Sequence, residues 1–328
     1  MDLLLVLIVV FGLLFDYTNG FHDAANVVST VIATRALRPM IAITLAAILN
    51  AVGATQISGV AQTISSGLVD PLNTTQLAVV CALIGAILWN FLTWYFGIPS
   101  SSSYALIGGI LGSTFAHAGN GAILWHGVIG KVLIPMVFSP LIGFGLAYLL
   151  MKILYLVISH EKRSQKTFRY IQIFSSCIMS LSHGLNDAQK SMGIITLGLF
   201  ASGLLMTTTI PIWVIFACAL TMGLGTASGG FRIIKTVGFQ ITKIEPMQGF
   251  ASDISSSCVI LAASSMGMPL SSTHIIVGSI TGIGSAKGAK HVRWKIAKKL
   301  IAAWVLTLPG AGLVSYGAFK ILTHFLHR

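Results

Sequence analysis

Charge is what this chain lacks most, and negative charge above all. Only 9% of its 328 residues are charged, and eight of them are acidic. A soluble chain carries about 25% charged residues, so this composition excludes a water-soluble globular protein. With 55% hydrophobic residues and a mean hydropathy of +0.88, the chain reads as all-α and membrane-embedded. At roughly 20 residues per crossing it supplies on the order of ten spans with short loops, which leaves no room for a sizeable soluble domain. Cysteine is scarce too. Cys81, Cys177, Cys218 and Cys258 lie in apolar runs without ligand spacing, which excludes a disulfide framework and a thiolate metal centre. There is no Gly-x4-Gly-Lys-(Ser/Thr), hence no ATP engine, and no His-Glu-x-x-His. The Gly-x-Gly-Asp signature of a membrane aspartyl protease is missing. These absences argue against an enzyme. No basic region precedes the first apolar run, so that run reads as a retained span and not a signal peptide.

What is present comes in pairs. Gly20-Phe21-His22-Asp23-Ala24-Ala25-Asn26 returns 164 residues later as Gly184-Leu185-Asn186-Asp187-Ala188-Gln189-Lys190. Pro99-Ser100-Ser101-Ser102-Ser103-Tyr104 returns 170 residues later as Pro269-Leu270-Ser271-Ser272-Thr273-His274. Two similar halves, each with polar motifs inside apolar sequence, are the mark of a transporter built from repeats. We divide the chain into a first membrane repeat (1–158), a polar linker (159–170) and a second repeat (171–328). The motif-bearing stretches 76–111 and 249–281 are long enough to cross twice or to fold as hairpins.

The net charge of +12 does not point to nucleic acid, because the basic residues sit in short loops between apolar runs. Their distribution orients the halves. The loop after the first Asp motif carries Arg35 and Arg38, whereas its counterpart, 199–211, is uncharged. Loop 58–75 has only Asp70, whereas 229–248 carries Arg232, Lys235, Lys243 and Glu245. Loop 112–126 is uncharged, whereas 282–299 carries six basic residues, among them Lys287 and Arg293. The basic side swaps each time, so the positive-inside rule predicts halves of opposite topology. The linker is then cytoplasmic and both termini are external, in a bacterial cytoplasmic (inner) membrane.

Four acids, Asp16, Asp23, Asp187 and Asp253, fall within or beside apolar spans. An acid at the bilayer centre costs on the order of 3 kcal/mol, so it persists where it binds a cation, relays protons or pairs with a base. The Gly and Asn neighbours of Asp23 and Asp187 predict a local break in each helix. Unwound carbonyls, a carboxylate and the amides of Asn26 or Asn186 would hold Na+, and the same carboxylates, with Asp253, could carry protons. The prolines are expected to start half-helices whose free N–H groups and hydroxyls form an anion site. Ser101, Ser102, Ser103, Ser271, Ser272 and Thr273 are the donors. Lys190 either pairs with Asp187 or touches the anion. His22, His183 and His274 flank the motifs as structural donors or proton carriers.

The repeated Asp element, with Ser182 to Lys190, and the repeated Pro-Ser element resemble the inorganic phosphate transporter (PiT) family over nearly the whole chain. The resemblance implies a short bacterial member, symport of phosphate with Na+ or H+, an inverted-repeat fold, a homodimer in a lipid bilayer, and no cofactor. By motif it implies cation or proton handling at Asp23, Asn26, Asn186 and Asp187, with Gln189 in the second signature. Ser101 to Ser103 and Ser271 to Thr273 then face phosphate, with Gln189 and Lys190 beside them. His22 replaces the Asn of many members, and Asp253 stands where relatives carry Glu or Gln. Both bear on Na+ against H+ and on whether phosphate travels as a metal–phosphate complex. Another oxyanion such as sulfate, or a gated anion channel, are the alternatives.

Overall fold

A computed structural model describes residues 3–56, 59–158 and 162–326. Thirteen helices are described, and they fall into two similar series. The first series is α1 (Leu3–Ala33), α2 (Pro39–Ala54), the short α3 (Val60–Gln62), α4 (Gln76–Tyr95), α5 (Ser102–Ala118), the short α6 (Trp125–Val128) and α7 (Ile134–Val157). The second is α8 (Lys162–Ala201), α9 (Ile212–Ser228), α10 (Phe231–Phe239), α11 (Pro246–Ser265), α12 (Ser272–Lys287) and α13 (Trp294–Leu326).

Among the described residues four helical stretches are long and apolar enough to cross a membrane: Leu3–Ala33, Gln76–Tyr95, Trp125–Val157 and Trp294–Phe325. A fifth arises if α9 and α10, bent by 71°, count as one span. The chain is thus a multi-pass membrane protein. Residues 159–161 of the expected linker lie outside the described residues. The rest, from Lys162 onward, is not a separate linker but the start of the 40-residue helix α8.

Each motif-bearing stretch folds as two helices joined by a turn. α4 and α5 are joined through Phe96–Ser101, and α11 and α12 through Met266–Ser271. Each turn contains a glycine in the left-handed region, Gly97 at φ 64° and Gly267 at φ 68°, where a Cβ would be strained. Helices α5 and α12 begin beyond the prolines, at Ser102 and Ser272. The caps are Ser101, whose Oγ accepts from the Tyr104 amide at 3.1 Å, and Ser271, which accepts from His274 at 3.3 Å.

Small residues bring the hairpins close to the long helices. A Cβ at Gly108 or Gly112 would lie 2.2 Å and 2.1 Å from carbonyls of α13. One at Gly278 or Gly282 would lie 2.3 Å from carbonyls of α7. Each half therefore lays its half-helix on the last long helix of the other, by small-xxx-small packing. Helices α1 and α8 also meet, running antiparallel: Gly12 lies against Ile195, and Gly198 against Ile8.

The hairpins start among different loops. Loop 58–75 bonds to loop 112–126, Asp70 N to Ala122 O and Leu124 N to Leu68 O, both at 2.9 Å. Loop 229–248 bonds to 282–299, through Arg293 N to Ile241 O at 2.9 Å and the exposed Lys287–Glu245 pair at 2.9 Å. The tip of each hairpin reaches the loops beside the other's base. Thr63 donates to Gly267 O at 2.6 Å, and Arg232 donates to Tyr95 O at 2.7 Å.

Candidate binding site between the two halves

The Asp motifs are not helix breaks. Helices α1 and α8 run through them unbroken. The motif glycines serve packing instead: a Cβ at Gly20 would sit 2.7 Å from Met222 O on α9, and one at Gly184 would sit 2.1 Å from Asn50 O on α2. Small residues there allow backbones to touch, and a continuous helix keeps its carbonyls bonded, so no unwound carbonyls are available at these positions. The interruptions fall at the two hairpin turns.

The two motif carboxylates meet. One ligand atom each from Asp23, His183 and Asp187 lie within 4.8 Å of one another, and all three residues are buried. Ser102 Oγ, at the start of α5, donates to Asp23 Oδ2 at 2.5 Å and also lies 2.5 Å from Asn19 Oδ1. Thr273 Oγ1, from the opposite hairpin, donates to Asp23 Oδ1 at 3.1 Å. His22 Nδ1 lies 3.0 Å from the same oxygen, and its Nε2 lies 3.2 Å from Thr93 Oγ1. Asp187 receives Ser272 Oγ at 3.2 Å and a short bond from Lys190, one helical turn on. His183 Nε2 lies 3.2 Å from Asp187 Oδ2, close enough for an ion pair but poorly aligned as a hydrogen bond.

Of the two roles left open for Lys190, the described contacts include the ion pair. The lysine pairs with Asp187 and also donates to Ser103 Oγ at 2.5 Å and to Leu270 O at 2.8 Å. Ser103 Oγ donates to the same Leu270 carbonyl at 3.0 Å. The ammonium thus joins α8 to the tips of both hairpins. Asn26 Nδ2 donates to Thr273 Oγ1 at 2.8 Å, which places Asn26 beside Asp23 as its helical spacing predicts.

The remaining expected site residues have other hydrogen-bond partners. Ser101 and Ser271 act as helix caps. Asn186 donates to Ser264 on α11 at 2.7 Å. Gln189 donates to Gln56 O at 2.6 Å and accepts from Ala61 N at 3.4 Å. Asp253 lies between Thr30 Oγ1 at 2.7 Å and Ser175 Oγ at 3.2 Å. Its serine-rich surroundings are as read from the sequence, but it does not join the Asp23–Asp187 cluster. His274 stacks on Trp304 with ring centroids 4.1 Å apart. Asn19 and Thr93 lie outside the repeated motifs. Asn19 is one turn before Asp23, a spacing that signals it, whereas Thr93 belongs to the site only through the fold.

The cluster is a buried arrangement of two carboxylates, one ammonium, two imidazoles and several hydroxyls. With neutral imidazoles it has one negative charge in excess, centred on Asp23. Burying an unmatched charge is costly, so the cluster suits an added cation. The hydroxyls that now donate to the carboxylates can instead donate to an oxyanion.

Residues 19–315 match the model of the phosphate transporter family. A "probable low-affinity inorganic phosphate transporter" of Bacillus subtilis (strain 168) is 45% identical, over 98% of this chain and 99% of its own. A protein of the same description from Rhizobium meliloti (strain 1021) is 44% identical, over 95% and 94%. A solved structure described as the sodium-dependent phosphate transporter superposes with a TM-score of 0.91, covering 98% of this chain and all of that one, at 24% identity. That structure establishes the fold. With a family match over most of its length and close relatives named as transporters and not enzymes, the chain belongs to the phosphate transporter family.

Proposed function

We propose that the chain is a secondary active symporter that brings inorganic phosphate into the cell together with a cation, Na+ or H+. The observation that carries this reading is the charge count of the cluster. Phosphate adds further negative charge to a site that already has two carboxylates against one ammonium. In a buried site that addition is unaffordable without cations entering too. Coupling then follows from electrostatics: the anion is not stable in the site without a cation.

The division of roles is as follows. Asp23 and Asp187 bind the cation, aided by Asn26 and Asn186, and Asp253 serves as a separate cation or proton site. Ser102, Ser103, Ser272 and Thr273 donate to phosphate, with Ser101 and Ser271 holding the half-helix starts in place, and Lys190 supplies positive charge. Gln189 supports the α8 side of the site.

The two halves are read as inverted repeats of about ten crossings in a bacterial inner membrane, with both termini external. The antiparallel α1 and α8, and hairpin tips that touch the loops beside the opposite base, support this. So does the swap of basic loops. The alternatives are another oxyanion or a gated channel. The test is uptake of labelled phosphate into proteoliposomes, with Na+ and H+ gradients imposed separately. Accumulation above equilibrium under either gradient supports symport. Equilibration without accumulation under both would mean a channel.

A further inference from the structure

A fourth membrane acid stands outside this cluster. Asp16 lies on α1, seven residues before Asp23, which is two turns or about 10 Å along the helix. It is fully buried, and neither carboxylate oxygen makes a hydrogen bond. Its surroundings are the Ser191 hydroxyl on α8, the Met222 backbone and the Cys218 thiol on α9, with the Asp187 carboxylate on α8 close enough to repel its charge. Ser191 Oγ is buried and likewise without a hydrogen bond. Both atoms face a contact that is otherwise apolar, among Ala188, Met192, Ile195 and Met222.

The ionisable groups on the surrounding helices are committed elsewhere. On α1, His22 lies against Asp23, and Tyr17 bonds to Ser228 at 2.6 Å. On α8, Lys190 and His183 lie against Asp187. Helix α9 offers only Cys218. Helix α4, tied to α1 by the Asn90–Thr18 bond at 3.3 Å, has Cys81 and, at its far end, Tyr95. Among the described residues no basic side chain is therefore available to Asp16. An ionised carboxylate in such a place is prohibitive, so it must carry a cation. Two carboxylate oxygens and one hydroxyl are too few to replace the hydration shell of a metal ion. A proton needs one oxygen.

We propose that Asp16 is a proton-binding site, separate from the Asp23–Asp187 cluster, that loads and releases a proton during transport. The antiparallel packing of α1 on α8 gives it a route. Ser191 is one turn from Asp187, so the hydroxyl can pass a proton between Asp16 and the cluster. In the acid form the carboxyl O–H donates to Ser191 Oγ. Release moves that proton onward and leaves a carboxylate, which is stable only once α1 and α8 have shifted to admit water. The transport role rests on the symport reading above, but the proton site itself does not.

The test uses the full chain reconstituted in liposomes. Infrared difference spectra of wild type against Asp16→Asn should show, near neutral pH, the C=O stretch of a protonated carboxyl, shifted in D2O. This arm needs no phosphate and decides the proton site even if the protein moves a different anion. Absence of the band in wild type, which would also be the result if a metal cation sat there, overturns the proposal. In the second arm, Asp16→Asn should keep phosphate–phosphate exchange but lose its response to an imposed pH gradient. A gradient response equal to wild type overturns the transport role, since a purely structural acid would leave it unchanged. Should Asp16→Asn fail to insert, Asp16→Glu retains a carboxyl. It must displace the band and keep the gradient response, and a variant with no displaced band rejects the assignment.

Discussion

The Thr273 hydroxyl donates to Asp23 at 3.1 Å, although the two residues are 250 positions apart in sequence. One half of the chain thus completes the hydrogen bonding of the other half's carboxylate. The same carboxylate receives Ser102 from its own half, so both hairpins converge on one oxygen-rich point.

Neutralising the carboxylates should separate transport from folding. Asp23→Asn is expected to abolish coupled uptake in proteoliposomes with little loss of stability, because it leaves no buried lysine or arginine unpaired, and the His22 imidazole 3.0 Å away can be neutral. Asp187→Asn leaves the Lys190 ammonium buried and unpaired, a loss of about 3–5 kcal/mol. Its melting temperature in detergent should fall, and the pair Asp187→Asn/Lys190→Met should recover stability without recovering uptake. Wild-type uptake in either Asn variant would remove that residue from the cation site.

The hydroxyls should divide into two classes. Ser102→Ala and Ser272→Ala remove donors that face the carboxylates, and a lost bond to a charged group is worth about 1.5–3 kcal/mol. Apparent phosphate affinity should therefore fall roughly 10- to 150-fold. Ser101→Ala and Ser271→Ala remove helix caps, worth about 1 kcal/mol, and should lower thermal stability while changing affinity less. Kinetics that rank the caps above the donors would reverse the assignment.

Glycine variants test the packing account of the Asp motifs. Gly184→Ala places a methyl group 2.1 Å from Asn50 O and should destabilise by about 1–3 kcal/mol or more. Gly20→Ala, 2.7 Å from Met222 O, should behave alike. Gly317→Ala on α13, with nothing within 4 Å, should be neutral or stabilise by roughly 0.5–1 kcal/mol. Tolerance of both motif alanines would mean that the glycines serve an unwound state.

Sidedness is open to chemical labelling. Cysteines at Lys243 and Lys290 should need a membrane-permeant maleimide, whereas those at Asn73 and Asn120 should react with an impermeant one from outside. Labelling of all four from one side would refute opposed halves.

Much of this site was legible because it is written twice. The spacing of the Asp and Pro-Ser motifs located the carboxylates, the hairpins and the capped half-helices, and Asn26 stood where helical periodicity put it. The unbroken course of α1 and α8 was not legible. Glycine beside polar residues marks an unwound helix and a close helix contact equally well, and only the Asn50 and Met222 carbonyls tell them apart. The positions of Gln189 and Asp253 were hidden for another reason. Their partners, Gln56 and Thr30, are distant in sequence and carry no repeat.

The crossed hydrogen bonding bears on ancestry. Each half brings one carboxylate, one hairpin and one set of hydroxyls, yet Asp23 is completed by Thr273, and Lys190 by Ser103. A half-length peptide could not assemble this site from its own residues. Two copies inserted in opposite orientations could, each lending its hairpin to its neighbour. Gene duplication and fusion would then have released the two copies to diverge, so that His22 now corresponds to Asn186, and Lys190 to Asn26, among the positions at which the aligned motifs differ.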